Sequence, residues 1–357
     1  MSKVHNFSAG PGILPQEVLK QASEACINFD NLNLSLLEIS HRSKNYEKVM
    51  GEARSLVKEL FEVGDDYEVL YLGGGASLQF AMVPYNLLTE TGYAAYVSTG
   101  VWASKAIKEA KIIGNTKVIA SSEDRKYNYI PKGYEIPSDA DYLHVTSNNT
   151  IYGTQMKEFP KTSIPLVCDM SSDIFSRKVN AKDFDLIYAG AQKNMGPAGS
   201  TMVMVKTSAL GKTGRKMLSM MDYSVHIKGD SMYNTPPVFP IYVTLLTLQW
   251  LKKNGGIAWI EKVNTQKADL LYGEIDRNSM FVGTVEKADR SQMNVCFLLN
   301  KPELEPEFDK FWKEANISGI RGHRDVGGYR ASLYNALSLE SVQVLVDSMK
   351  AFEKKFA

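Results

Sequence analysis

The stretch "YAGAQKNMGPAGS" (188–200) sets Lys193 among small residues, with Gly190 and Ala191 before it and Gly196, Pro197 and Gly199 after it. An amine kept from water loses protons more readily, and its freed lone pair can attack a carbonyl carbon to form an imine. Further segments suit the same chemistry. "YLGGGASLQF" (71–80) places three glycines between an apolar run and a helix-like run, so backbone N–H groups at a helix start can meet a phosphate. "VCDMSS" (167–172) ends an apolar run on Asp169, the place where open α/β sheets present groups to ligands. Trp102 follows "STG" after another such run, and its indole can stack on a flat ring. Thr150, in "SNNTIYGT", also follows a strand end.

Each feature has an ordinary alternative. Lysines are mostly solvated, tryptophans mostly buried in cores, and glycines are the default residues of tight turns. Asp169 equally suits a helix N-cap, and Thr150 a turn hydroxyl. Two nucleotide motifs are excluded by spacing. G-x-G-x-x-G read from Gly73 meets Leu78 where its last glycine belongs, and "GKTGRK" at 211 has Lys206 where a P-loop begins with glycine.

The elements that must position these residues follow from apolar runs of strand length: "YEVLYL", "YAAYVS", "TKVIAS", "DYLHVT", "IPLVCD", "FDLIYA" and "TMVMVK". Helical spacing between several of them, as in "VWASKAIKEAKIIG" with its terminal Gly114, predicts a largely parallel sheet covered by helices on both faces. About ten residues separate the last two runs, too few for a crossover helix, so that pair is expected to be antiparallel with Lys193 in the connection. If the strands before Asp169 and Lys193 are neighbours, both side chains face one crevice. A boundary is expected near "LKKNGG" (251–256), giving a large domain over 16–255 and a small domain from 1–15 and 256–357. In the latter, "NVCFLL" and "RASLYNA" read as strands. "EFDKFWKEA" and the last segment read as helices, with Val342, Leu345, Val346, Met349 and Phe352 on one apolar stripe.

The chain has 357 residues, 44% hydrophobic and 23% charged, with 41 basic against 40 acidic side chains. That balance argues against a nucleic-acid or membrane-surface binder. No apolar run approaches a bilayer span, the start lacks a signal-peptide core, and Cys26, Cys168 and Cys296 have no metal-ligand spacing. The expectation is a metal-free protein of a reducing, cytoplasmic setting.

Taken jointly, a phosphate turn, an acid for a ring nitrogen, an indole for stacking and a desolvated lysine are the requirements of pyridoxal phosphate (PLP). Two cationic clusters, His41 and Arg42 in "SHRSKNY" and Arg321, His323, Arg324 and Arg330 in "RGHRDVGGYRAS", suit an anionic substrate, although solvated loops are equally consistent with either.

Eight segments in order, "NFSAGPGILP", "EISHRSK", "GGGASLQF", "STGVWASKA", "DMSSDIFSR", "YAGAQKNMGPAG", "MYNTPPVF" and "GHRDVGGYRASLYNA", resemble the phosphoserine aminotransferase family. These are dimeric fold-type-I, class-V PLP enzymes. The resemblance implies an α/β fold, with a mostly parallel seven-stranded sheet in the large domain and a smaller α+β C-terminal domain. It makes Lys193 the Schiff-base lysine, Asp169 the partner of the pyridine nitrogen, Trp102 the stacking ring and Thr150 a cofactor hydrogen-bonding residue. Gly75, Ala76 and Gln192 fall on phosphate-site positions, and Asn234 and Thr235 on positions that reach the phosphate of the neighbouring subunit, so the homodimer would have composite sites. Arg330 falls on the α-carboxylate clamp. His41, Arg42, His323 and Arg324 fall on groups that hold the substrate phosphate or the distal carboxylate of glutamate. The implied reaction exchanges phosphoserine and 2-oxoglutarate for 3-phosphohydroxypyruvate and glutamate in serine synthesis. In many bacteria the family also acts in making PLP, through 4-phosphohydroxy-L-threonine. Some members carry serine and arginine where this chain has Ala9 and Ala76. An aminotransferase of the serine–glyoxylate type is the alternative, and the "GHR…GGYR" cluster speaks against it. A cysteine desulfurase would need a mobile cysteine, for which the three thiols are poorly placed.

Overall fold

The computed structural model describes residues 3–357. After the short strand β1 (His5–Asn6) come helices α1 (Gln16–Ala25) and α2 (Lys44–Phe61). The main sheet is then laid down as β2 (Tyr67–Leu72), α3 (Gly75–Leu87), β3 (Tyr93–Ser98), α4 (Val101–Ile113), β4 (Asn115–Ser121), β5 (Tyr142–Thr146), β6 (Leu166–Asp169), β7 (Leu186–Gly190) and β8 (Thr201–Lys206). Helices α5 (Tyr223–Lys228), α6 (Val238–Lys253) and α7 (Gly256–Arg277) lead to the C-terminal part, made of β9 (Phe281–Gly283), β10 (Asn294–Leu299), α8 (Glu305–Glu314), β11 (Ile317–Ser318), β12 (Tyr329–Ser332) and α9 (Leu339–Phe356).

The seven strands of the main sheet run in the order β2-β8-β7-β6-β5-β3-β4. All neighbours are parallel except those of β8, which is antiparallel to both β2 and β7. The short β7–β8 connection therefore reverses direction, as its length requires. Central strands β5, β6 and β7 are buried on both faces, which explains their unbroken apolar runs. Strand β4 lies at the edge and is largely exposed. One face packs on α2 and α6 and the other on α3 and α4. Register aligns Thr146 with Asp169 and Asp169 with Tyr188, so the C-terminal ends of these strands share one edge of the sheet.

A second core forms the smaller C-terminal domain. Strand β10 pairs with β9 and β12, and α7, α8 and α9 cover them. Val342, Leu345, Val346, Met349 and Phe352 are all buried there, each contributing about 1.5–3 kcal/mol of transfer free energy. Ser338 caps α9 by accepting from the Ser341 N–H. The N-terminal segment joins this core: β1 pairs in parallel with β11, and Phe7 is fully buried. Strand β12 stops at Ser332, short of the "RASLYNA" expectation, because the following residues turn back toward the main sheet and bond Asn194 and α7. No described helix is long and apolar enough to cross a membrane.

Candidate active site

The strand ends β2, β3, β5, β6 and β7 surround a cavity of about 140 Å³. It is lined by Gly75, Ala76, Trp102, Thr150, Asp169, Gln192 and Lys193, seven of the nine positions expected for a cofactor, together with Ser77, Phe80, Thr146, Asn148, Ser171 and Ser172.

One end of the cavity is the start of α3. Gly74 and Gly75 have φ of +83° and +65°, a region open to glycine but strained for other residues. A Cβ at Gly74 would also lie 2.6 Å from the Leu78 side chain. The turn directs the first N–H groups of the helix, which have no partner inside it, at the cavity.

Lys193 Nζ donates to Thr150 Oγ1 at 2.6 Å and stands 6.0 Å from the centroid of the Trp102 ring. Burial lowers its pKa to about 8, helped by the nearby Arg330 charge and opposed by Asp169. The amine thus gives up its proton far more readily than a solvated lysine, with the neutral form taking over above about pH 8. Asp169 is buried, and desolvation pushes its carboxyl above the usual carboxylate range, against the Ser171 hydrogen bond and the Lys193 charge. Its Oδ1 accepts from the Ser171 N–H at 2.9 Å. The Trp102 Nε1 is buried without a hydrogen-bond partner among the described residues.

These features fit PLP. A buried carboxylate without a salt-bridge partner among the described residues suits a protonated ring nitrogen, the helix start suits a phosphate, the indole suits a flat ring, and an amine that sheds its proton readily suits an aldehyde. Asp169 is therefore no helix cap. It bonds an Asx turn and lines the cavity beside the lysine. Among residues unforeseen from sequence, Ser171 and Ser172 lie two and three positions after Asp169 and Phe80 lies one helical turn beyond Ala76, so proximity was the signal available.

The remaining expected residues are dispersed. Arg330 Nη1 donates to the Thr150 carbonyl at 3.1 Å, and its Nε is buried without a partner among the described residues. His323 pairs with Asp325 at 3.4 Å, while the Arg324 side chain is 92% exposed. His41 and Arg42 do not line the Lys193 cavity, although the buried His41 Nε2 lacks a partner among the described residues. Asn234 and Thr235 are exposed and line a different cavity of about 450 Å³ with Gly73, Gly74 and His226. Arg321 leaves the cationic cluster. It is bound to Glu305 and Asp309, acids brought up by α8, and stacks over Tyr329. Among the described residues no group of acidic, histidine or cysteine side chains is placed to hold a metal ion, and the three cysteines are unpaired.

Comparison with known proteins agrees with this geometry. Residues 4–345 match the family model of the class-V aminotransferases. A phosphoserine aminotransferase of Flavobacterium johnsoniae is 64% identical, covering 99% of each chain. A solved phosphoserine aminotransferase of Bacillus circulans subsp. alkalophilus is 44% identical with a TM-score of 0.97 over 99% of each chain. A PLP-bound phosphoserine aminotransferase of Trichomonas vaginalis is 33% identical with a TM-score of 0.92, covering 98% of this chain and 100% of that one. With a full-length family match, and a lysine, an acid and an indole converging where parallel strands end, the chain belongs to the class-V aminotransferase family, among its phosphoserine aminotransferases.

Proposed function

We propose that this protein catalyses reversible amino-group transfer from O-phospho-L-serine to 2-oxoglutarate, giving 3-phosphohydroxypyruvate and L-glutamate, with PLP as cofactor. The observation that carries the reading is the cavity in which Lys193, Asp169 and Trp102 meet, in a chain 64% identical to a phosphoserine aminotransferase.

PLP supplies an electron sink that stabilises negative charge at the substrate Cα. The protein supplies the rest. Asp169 holds the ring nitrogen in its protonated form, and Trp102 limits the ring to one plane. The N–H groups at Gly75 and Ala76, with Gln192, hold the phosphate. Thr150 orients the Lys193 amine, whose lowered pKa lets it give up its proton readily and, once neutral, accept a proton at Nζ from the substrate Cα and return it elsewhere on the reacting system. Arg330 takes the α-carboxylate. It is already within reach of the Lys193 site through the Thr150 carbonyl. His41, Arg42, His323 and Arg324 take the substrate phosphate or the distal carboxylate of glutamate.

We further infer a homodimer with composite sites. Asn234 and Thr235 do not line their own chain's Lys193 cavity, and the exposed Leu218, Met220 and Tyr233 lie nearby in sequence. Their phosphate-binding role then belongs to the partner's site. The large domain takes residues 16–255 and the small domain residues 1–15 and 256–357, a division supported by the pairing of β1 with β11. A cytoplasmic setting in serine synthesis accords with free cysteines and small anionic substrates. A role in PLP synthesis is a further activity of the same site.

The deciding assay compares phosphoserine, serine and alanine as amino donors to 2-oxoglutarate, with glutamate as the measured product. Phosphoserine should be strongly preferred, because of the three donors only it carries a phosphate for His41, Arg42, His323 and Arg324. Equal rates with all three would overturn the substrate assignment.

A further inference from the structure

Lys267 is a fully buried lysine that the reaction does not use. It lies within α7, and no acid forms a salt bridge with it among the described residues. Its Nζ donates to the carbonyls of Leu333 and Tyr334, both at 2.9 Å. Desolvation lowers its pKa to about 7, and a neutral amine has two N–H donors for those two acceptors.

The two carbonyls belong to the turn that follows β12, where the Leu333 N–H still bonds the Met293 carbonyl but the Leu333 carbonyl has moved off the sheet and takes its donor from Lys267. The next residue in that turn reaches the other domain. The Asn335 N–H donates to Asn194 Oδ1 at 3.0 Å, and Asn335 Nδ2 donates to the Phe175 carbonyl at 3.0 Å. Asn264, one helical turn before Lys267 on α7, donates to both Asn335 Oδ1 and the Ser176 carbonyl at 2.9 Å. Asn194 directly follows Lys193. Tyr334 makes a second approach. Its hydroxyl donates to the Ala9 carbonyl at 2.5 Å, and the Gly12 N–H of that same strap donates to the Gln192 carbonyl at 2.7 Å.

We propose that Lys267 is a positioning residue for Lys193: its amine fixes the 333–335 turn, and this turn fixes the segment 192–194 from both sides. The proposal rests on the reading of Lys193 as the reacting amine. An apolar side chain would fill the same space in α7, but would take the amine donor from the Leu333 carbonyl and leave the Tyr334 carbonyl with the Leu337 N–H alone, so that the turn is free to shift. A small displacement of a reacting group from afar is enough to lose one to two orders of magnitude in rate.

The test is Lys267→Met in the full-length, cofactor-loaded protein, with Asn335→Ala as an independent cut in the same connection. Both should lower kcat at least about tenfold with KM for phosphoserine little changed, the pattern of a group misplaced in the transition state. In the absence of substrate, both should also shift the pH midpoint at which the visible absorbance of the bound cofactor changes, a reading that a purely structural role would leave alone. If Lys267→Met fails to fold, Asn335→Ala decides by the same two readings. Wild-type kcat and an unmoved absorbance midpoint in a folded variant, even one of lower melting temperature, would overturn the proposal. Lys193→Ala separates the two levels: full activity in it removes the reading of Lys193, whereas an inactive Lys193→Ala beside a fully active Lys267→Met removes only the positioning role.

Discussion

Lys193 Nζ donates to Thr150 Oγ1 at 2.6 Å, and the carbonyl of the same threonine accepts from Arg330 at 3.1 Å. One residue thus ties the amine proposed to react to the guanidinium proposed to take the substrate carboxylate. Thr150→Val keeps the shape and the backbone carbonyl while removing the hydroxyl. We expect kcat to fall roughly tenfold, the worth of one hydrogen bond to a charged group, with the phosphoserine KM nearly unchanged. A steady-state comparison of the two parameters checks this.

The lowered pKa of Lys193 has a definite sign. Below about pH 8 the amine is protonated and cannot attack the cofactor aldehyde. The rate of PLP capture by cofactor-free protein should therefore rise through about pH 8 and level off above it, as followed by stopped-flow absorbance. Linkage runs the same way. The buried charge costs stability below about pH 8, and this cost is relieved as pH rises toward the unfolded value of 10.5. Lys193→Ala should still bind the cofactor, with no pH step in its spectrum of capture, and should lose transamination by about 10²–10⁴-fold.

Asp169 is buried, with its pKa raised by desolvation against the Ser171 hydrogen bonds and the Lys193 charge, and no salt bridge within the described residues holds it. A protonated ring nitrogen supplies the cation for one. Asp169→Asn should weaken PLP binding by about 2–5 kcal/mol, much of it from the ring charge left unpaired. Equilibrium dialysis of the two proteins measures the difference, and equal affinities would separate Asp169 from the ring nitrogen.

Gly12 lies where the N-terminal strap crosses the Lys193 segment. A Cβ there would stand 2.7 Å from the Tyr334 ring and 2.9 Å from the Lys193 carbonyl. Gly12→Ala should destabilise the protein by about 1–3 kcal/mol through overpacking. Because the clash reaches the Lys193 backbone, kcat should fall along with the melting temperature. Calorimetry and kinetics on the same preparation test both effects.

The amino-acid sequence by itself determined the sheet and the meeting of Lys193, Asp169 and Trp102 in one cavity. Each run of Val, Ile and Tyr became a strand within one or two residues, since β-branched and aromatic side chains buried on both faces permit little else. The short link between "FDLIYA" and "TMVMVK" allowed only an antiparallel pair, and it holds Lys193 as expected. Asp169 and Thr150 were legible for the same reason: residues just past parallel strands emerge at one edge.

Tertiary structure alone decided how the charges were shared. By residue type and setting alone Arg321 matched Arg330, and only the family resemblance singled out the second, yet α8 brings Glu305 and Asp309 to the first, while the second reaches Thr150. Lys267 gave no local sign of burial, because its partners are carbonyls 66 and 67 residues away, in a turn where a strand had been expected. Local spacing specifies which backbone a segment adopts. Which long polar side chain loses its water depends on what distant segments set against it, and only the folded chain brings those together.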